Sequence, residues 1–334
     1  MAAVRFSQFL VCVVAVTCLT HPAAPETLHD HDNSPLAGIF GLPDATEGGA
    51  ILRRGQSAWG LLGITASHSV SDVAGSELFV LDGETSRLEF SYRRGFGDRW
   101  ELGVELPYVT HQSGGLDSVI EEWHDIFGFP DGPREGRERD LLEFLVVDDN
   151  VALVDLTDNA DGVGDIRMFG GYQLEDSGRY KSAVRFGVKL PTGDESTLLG
   201  SGGTDVSLGL SGDWLSVGGR DNLSAFYRLN VTYVGEPAFL ADRHKDFVGQ
   251  AVGGVTWRVV PAVGLTVQAN VRSALYDSDI EMLGETSVAL TFGGDIRLSD
   301  RLGLLIAVGE DIKVGSTPDV SFQLALQYRP QSPR

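Results

Sequence analysis

Apolar and polar residues alternate with a period of two along most of the chain. Trp100, Leu102, Val104, Leu106 and Tyr108 are interleaved with Glu101, Gly103, Glu105, Pro107 and Val109. Val184, Phe186, Val188 and Leu190 alternate with Ala183, Arg185, Gly187 and Lys189. The same rhythm carries Leu223, Ala225, Tyr227, Leu229, Val231 and Tyr233, and again Leu265, Val267, Ala269 and Val271. Successive side chains of a strand point to opposite faces, so each segment has one apolar and one polar face. The pattern predicts strands at 57–69, 84–94, 99–111, 164–174, 181–191, 204–214, 223–235, 247–259, 263–276, 285–297, 301–314 and 319–329. Most are 11–14 residues long, against about 5–6 for a strand in a globular protein. A tilted strand crosses a bilayer in about 9–11 residues.

The connections discriminate further. Short turns at 95–98, 175–180, 215–222, 260–262 and 298–300 alternate with longer links at 70–83, 112–163, 192–203, 236–246 and 277–284, and only the last link of the second kind, 315–318, is itself short. Outer-membrane barrels combine short periplasmic turns, longer external loops and an even strand number, whereas a soluble sandwich has no reason to alternate them. The predicted fold is all-β, a transmembrane antiparallel up-and-down β-barrel of about twelve strands over 57–329. Arg or Lys on the lipid face at mid-membrane costs about 2–4 kcal/mol each, which fixes the register. Arg87, Arg93, Arg185, Lys189, Arg228, Arg258 and Arg272 then face the lumen, with Glu89, Glu101, Glu105, Asp205, Asp213, Asp295 and Asp311. A slip of one residue would turn all of them outward. The strand at 57–69 is ambiguous because both of its faces hold apolar residues.

Two segments break the rhythm. At the N-terminus, Arg5 precedes an apolar run from Phe9 to Leu19, and Pro22, Ala23 and Ala24 follow. This predicts a secretory signal peptide over 1–24. Both cysteines of the chain, Cys12 and Cys18, fall inside it, so the exported chain is expected to have neither disulfides nor thiolate chemistry. Thr17 does not suit lipidation at Cys18. Residues 25–56 read as a periplasmic N-terminal segment and 330–334 as a C-terminal tail. The second break is the 52-residue link at 112–163, which holds fourteen acids against three arginines. Within it Leu116, Val119, Ile120, Trp123 and Phe127 mark one face of a helix over 116–127, which Gly128 and Pro130 stop.

Composition then narrows the chemistry. The 334 residues carry a net charge of −21, which argues against a nucleic-acid partner. Glycine, at 42 residues, is well above the usual share of about 7%. Glu121-x-x-His124, with Asp117 and Asp125 beside it, has the spacing of a metal-binding pair, but reads better as a solvated acidic face beside a core stripe. No resident cofactor is expected beyond divalent cations held loosely by the acidic external loops. Gly-Ser-Gly-Gly at 200–203 leads into a strand rather than a helix, so it is not a phosphate loop. His111 with Ser113, and His68 between Ser67 and Ser69, are the residues a rim-located lipid hydrolase would need, but no hydrolase motif surrounds them.

Gly-Gly-Leu-Asp at 114–117, Glu-Glu-Trp-His-Asp at 121–125 and Phe-Gly-Phe-Pro at 127–130 resemble an uncharacterised family of Gram-negative envelope proteins known only as a domain of unknown function. Leu-Asp-Gly-Glu at 81–84 and the stretch from Arg99 to Pro107 fit the same family. Val-Gly-Asp at 163–165 and Lys-Leu-Pro-Thr-Gly-Asp at 189–194 are also similar to barrels taken as transporters of aromatic or fatty compounds. The resemblance implies an outer-membrane barrel and brings no activity or functional residues with it. The expected function is passive passage of a small solute, constricted or gated by the 112–163 loop. Arg87, Arg185, Lys189, Arg228, Arg258 and Arg272 would line the path; Asp117, Glu121, Trp123, His124 and Asp125 would stand at the mouth. The alternative is a structural barrel that engages lipopolysaccharide through its acidic loops. Expected partners are outer-membrane lipid and lipopolysaccharide, the barrel-assembly machinery and a small solute.

Overall fold

The computed structural model describes residues 25–114, 141–312 and 320–330. Its strands are β1 (Ser57–Ala74), β2 (Glu77–Phe96), β3 (Trp100–Gln112), β4 (Glu143–Asp148), β5 (Val151–Leu156), β6 (Ala160–Val163), β7 (Ile166–Asp176), β8 (Tyr180–Leu190), β9 (Asp205–Trp214), β10 (Leu223–Tyr233), β11 (Phe247–Val260), β12 (Val263–Arg272), β13 (Ser287–Arg297), β14 (Leu302–Asp311) and β15 (Val320–Tyr328). Every strand pairing is antiparallel; around the ring each strand pairs with the next, β3 with β7 across the intervening link, and β1 pairs with β15 to close it. Three of the fifteen strands, β4, β5 and β6, stand outside the ring, which leaves a closed barrel of twelve.

The outer surface is apolar, as a lipid-facing surface must be. Leu88, Leu102, Leu208, Leu229, Leu265, Ile306 and Leu324 are all exposed on the outer surface. Around the short-turn rim an aromatic girdle follows, as barrels place at a membrane interface. Trp100 lies 4.7 Å from Tyr172, Trp214 lies 5.3 Å from Tyr180, and Trp59 stacks on Tyr328 at 5.7 Å. At the opposite rim Tyr233 meets Phe247 at 5.5 Å.

Three sequence expectations are corrected. The link at 70–83 is not a loop: β1 and β2 run on past the membrane and turn at Gly75, where a φ of +61° suits glycine. The alternation fades there because Ser67, Ser69 and Ser71 no longer need to meet lipid. The link at 112–163 contributes β4 and β5, a hairpin paired to the extension of β2, and β6, paired to the end of β3. Its predicted helix and residues 115–140 lie outside the described residues, as do residues 1–24 and 331–334.

The third correction concerns residues 25–56, expected in the periplasm. They run inside the barrel. Glu26 accepts from Thr256 and Thr266 near the short-turn rim, Leu28 meets Gln268, and Asp32 meets Arg272 higher up. The chain turns at the far mouth, where Tyr276 donates to the Leu36 carbonyl at 2.9 Å. It then descends past Asp205, Arg228 and Arg185 to Glu101. Gly95 bonds the Gln56 carbonyl at 3.0 Å as the chain returns to the short-turn rim and enters β1. The segment is a hairpin-shaped plug without regular secondary structure, both ends on one side and its tip on the other.

Candidate functional site: the filled lumen

An irregular chain inside a barrel leaves backbone N–H and C=O groups that need partners. The inward side chains of the wall supply them. Gln268 accepts from the Leu28 N–H and donates to the Leu28 carbonyl, each at 3.1 Å. Gln173 likewise accepts from Ile51 and donates to the Gly49 carbonyl. Asp213 accepts from the Gly49 and Ala50 N–H groups, Asp205 from Gly41 and Glu101 from Leu52. Gln323 donates to the His29 carbonyl at 3.0 Å. The lumen wall therefore does for the plug what a neighbouring strand does for a sheet.

Strand register builds a charged lattice beneath these contacts. Glu105, Arg167, Lys189 and Asp205 are cross-strand neighbours over β3, β7, β8 and β9, so an acid flanks each end of two bases. Two rows nearer the short-turn rim, Glu101, Gly171, Arg185 and Gly209 are aligned. Gly171 leaves room for the guanidinium, and Gly209 leaves room for Asn230. A Cβ on Gly171 would stand 2.6 Å from Arg185 Nη1.

All six basic residues expected to line a path face the lumen, and each is held. Arg185 pairs with Glu101 and donates to the carbonyls of Gly48 and Ala50. Lys189 bridges Asp165 at 2.8 Å and Asp205 at 3.2 Å, and reaches the Ile39 carbonyl. Arg228 joins Asp213 and the Ala45 carbonyl, both at 2.8 Å. Arg258 meets Asp295 at 2.6 Å and Glu26 at 3.5 Å; Arg272 meets Asp32 at 2.7 Å. Arg87 pairs with Glu89 at 3.0 Å. With the plug seated they line its bed rather than an open path. Arg167, absent from that set, is as central: it spans Glu47 of the plug at 2.6 Å and Glu105 of the wall at 3.1 Å. Its parity on β7 was the available signal. The plug's own Glu26, Asp32 and Glu47 carried none, because their partners are remote in sequence.

One side of the lumen is apolar. Leu28 of the plug packs on Leu62, Ile64, Leu305, Ala307 and Ala325. This explains the double-faced pattern of the first strand, whose inner residues meet Leu28. At the far mouth the plug's tip, Leu36 to Phe40, joins a larger apolar cluster with Phe79, Leu81, Phe144, Val154, Leu198, Tyr276 and Ile280. The described part of the 112–163 link thus helps to cap the tip, through β4 and β5. Asp117, Glu121, Trp123, His124 and Asp125 lie outside the described residues.

His111 does not stand in a hydrolase arrangement. Its Nδ1 lies 3.0 Å from Thr85 Oγ1 and its Nε2 3.1 Å from the Leu198 carbonyl, while Phe144 meets its ring edge-on. Within the plug, His29 and His31 converge on Asp44 at 3.2 and 3.4 Å.

A family model described as a protein of unknown function, DUF3187, matches residues 6–330. No curated protein matches the chain. Among solved structures, an outer-membrane channel from Pseudomonas putida F1 aligns over 86% of this chain and 98% of its own, at 14% identity and a TM-score of 0.52. The NanC porin aligns over 82% of this chain and 100% of its own, at 10% identity and a TM-score of 0.45. The toluene transporter TbuX of Ralstonia pickettii aligns over 93% and 97%, at 12% identity and a TM-score of 0.43. The first of these likenesses supports the barrel fold.

Proposed function

The chain belongs to the DUF3187 family, and from its own geometry we propose that it is a passive channel of a Gram-negative outer membrane, closed at rest by its N-terminal segment. The observation that carries this reading is the nature of the filling. A purely structural twelve-stranded barrel can fill its interior with wall side chains, whereas this one surrounds a removable length of chain with a polar, charged wall. Eight-stranded barrels are filled by side chains and those of 16–18 strands leave an aqueous channel; twelve strands leave a bore that one hairpin of chain can occupy. The solute is small and polar, because the lumen exposed by withdrawing the plug is lined by the lattice from Glu101 to Asp213. The relatives named as channels agree with this reading without fixing the solute. Gating falls to residues 25–56, with the mouth cluster of β4 and β5 as the catch for their tip.

The test is conductance in planar bilayers for the chain beginning at residue 25 and for a variant lacking residues 25–52. The intact protein should be silent or open rarely, and the truncated barrel should give steady steps. A truncated barrel that still shows the gel shift of a folded barrel on heating, yet never conducts, would overturn the channel reading.

A further inference from the structure

Four side chains around the plug form a group that the channel reading does not use. His29 and His31 belong to its ascending arm, Asp44 to its descending arm and Glu89 to strand β2. All are mostly or fully buried; the Asp44 and Glu89 side chains are 1% and 3% exposed. One donor atom each from His29, His31 and Asp44 lies within 4.8 Å of the others. The separations are 3.2 Å from His29 Nδ1 to Asp44 Oδ2, 3.4 Å from His31 Nε2 to the same oxygen, and 3.6 Å from His31 Nε2 to Glu89 Oε1.

Those lengths are informative. The two contacts of His31 are longer than the usual 2.7–3.2 Å range for N–H···O bonds, and its buried Nε2 makes no hydrogen bond among the described residues. Ligands about 2.0–2.1 Å from a tetrahedral zinc ion stand about 3.3–3.4 Å from one another. The three measured contacts, 3.2 Å from His29 to Asp44, 3.4 Å from His31 to Asp44 and 3.6 Å from His31 to Glu89, are close to that edge length, and Glu89 reaches the group through His31. The second oxygens of both carboxylates are already tied down: Asp44 Oδ1 accepts from the Thr46 N–H at 2.8 Å, and Glu89 Oε2 pairs with Arg87 at 3.0 Å. Such outer contacts orient ligands in metal sites. A cavity of about 70 Å³ adjoins both histidines, giving their rings room to turn onto an ion.

We propose that His29, His31 and Asp44, with Glu89 as the fourth donor, bind one zinc-type divalent cation that ties both arms of the plug to the barrel wall. Imidazole and carboxylate donors suit zinc and its neighbours in the first transition row. Calcium, which takes 6–8 oxygen ligands, does not fit two imidazoles and two carboxylates. The charges agree: two carboxylates neutralise the dication in a buried place, with the histidines neutral. These are other residues than the Glu121 and His124 pair singled out by sequence spacing. The site stands whether or not the barrel conducts, since its measurement involves no flux.

The experiment uses the folded chain from residue 25 in detergent, stripped with a chelator and dialysed against Zn²⁺ and then Co²⁺. One zinc per chain should bind, undisplaced by excess calcium or magnesium, and cobalt should give the intense visible bands of a tetrahedral ion. His29→Ala and His31→Ala should each weaken zinc by at least tenfold, while His124→Ala should leave it unchanged. Should a histidine variant misfold, the cobalt spectrum of the unaltered chain still decides the geometry. No zinc bound to the folded chain, an octahedral cobalt spectrum, or affinity that follows His124 rather than His31 would overturn the proposal.

Discussion

Arg228 is fully buried, and its charge is spread over Asp213, the Ala45 carbonyl and the Gly212 carbonyl. Removing one member of a buried pair strands the other, at about 3–5 kcal/mol. Arg228→Met should therefore lower the midpoint of urea unfolding, followed by the gel shift, and leave Asp213 holding only the plug's N–H groups. Gly49 offers a change confined to the plug. A Cβ there would stand 2.3 Å from the Lys181 carbonyl and 2.9 Å from the Asp213 nitrogen, both backbone atoms that cannot step aside cheaply. Gly49→Ala should push the descending arm off β8 and β9 and raise the open fraction in bilayer recordings, with barrel unfolding little altered. Parity put Arg228, Arg185 and Lys189 in the lumen from sequence, since a wrong register costs several charges at once. Their partners were not legible. Ala45 and Arg228 are 183 positions apart, and nothing periodic joins a glycine-rich stretch to an arginine on a distant strand.

Among elements, the strands were legible and the plug was not, for one physical reason. A strand in lipid must repeat its chemistry every second residue because its environment repeats. The plug meets a new wall residue at each step: Gln268, then Gln323, then Arg272, then Tyr276. Its sequence is thus aperiodic and reads like a solvated tail. The extra-membrane hairpin of β4 and β5 failed for a related reason, since its inner face packs on the plug's tip rather than on lipid. The tip is the catch. Phe40 lies 5.8 Å from Tyr276 and within the mouth cluster, and truncation of a buried Phe costs about 3–5 kcal/mol. In a chain beginning at residue 25, which lacks Cys12 and Cys18, a single cysteine introduced at Ala45, which is fully buried, reports on the plug alone. A water-soluble maleimide should label Ala45→Cys slowly, and at least tenfold faster when Phe40→Ala is added. Equal rates would mean that the tip does not hold the plug.

For the whole molecule, the balance of charge depends on the plug. Residues 25–56 bring Glu26, Asp30, Asp32, Asp44 and Glu47 into the barrel, while Arg53 and Arg54 stay exposed at the rim. Taking the segment away removes the described partner of Arg272 and one of the two acids beside Arg167. The truncated barrel should therefore favour anions. A reversal potential measured across a salt gradient should show this, and Arg272→Glu should reduce or invert it. The closed ring also constrains how the protein comes into being. The ring is sealed by β1 meeting β15, the last strand to be made, yet the chain that fills it is among the first. Either the hairpin is already lying in the cleft when the final seam zips, acting as a mandrel on which the wall is wound, or it must thread a finished tube. Its many bonds to side chains on both halves of the wall favour the mandrel. On that account the N-terminal segment is an assembly aid before it is a stopper, and a barrel made without it should close more slowly even when the product is stable.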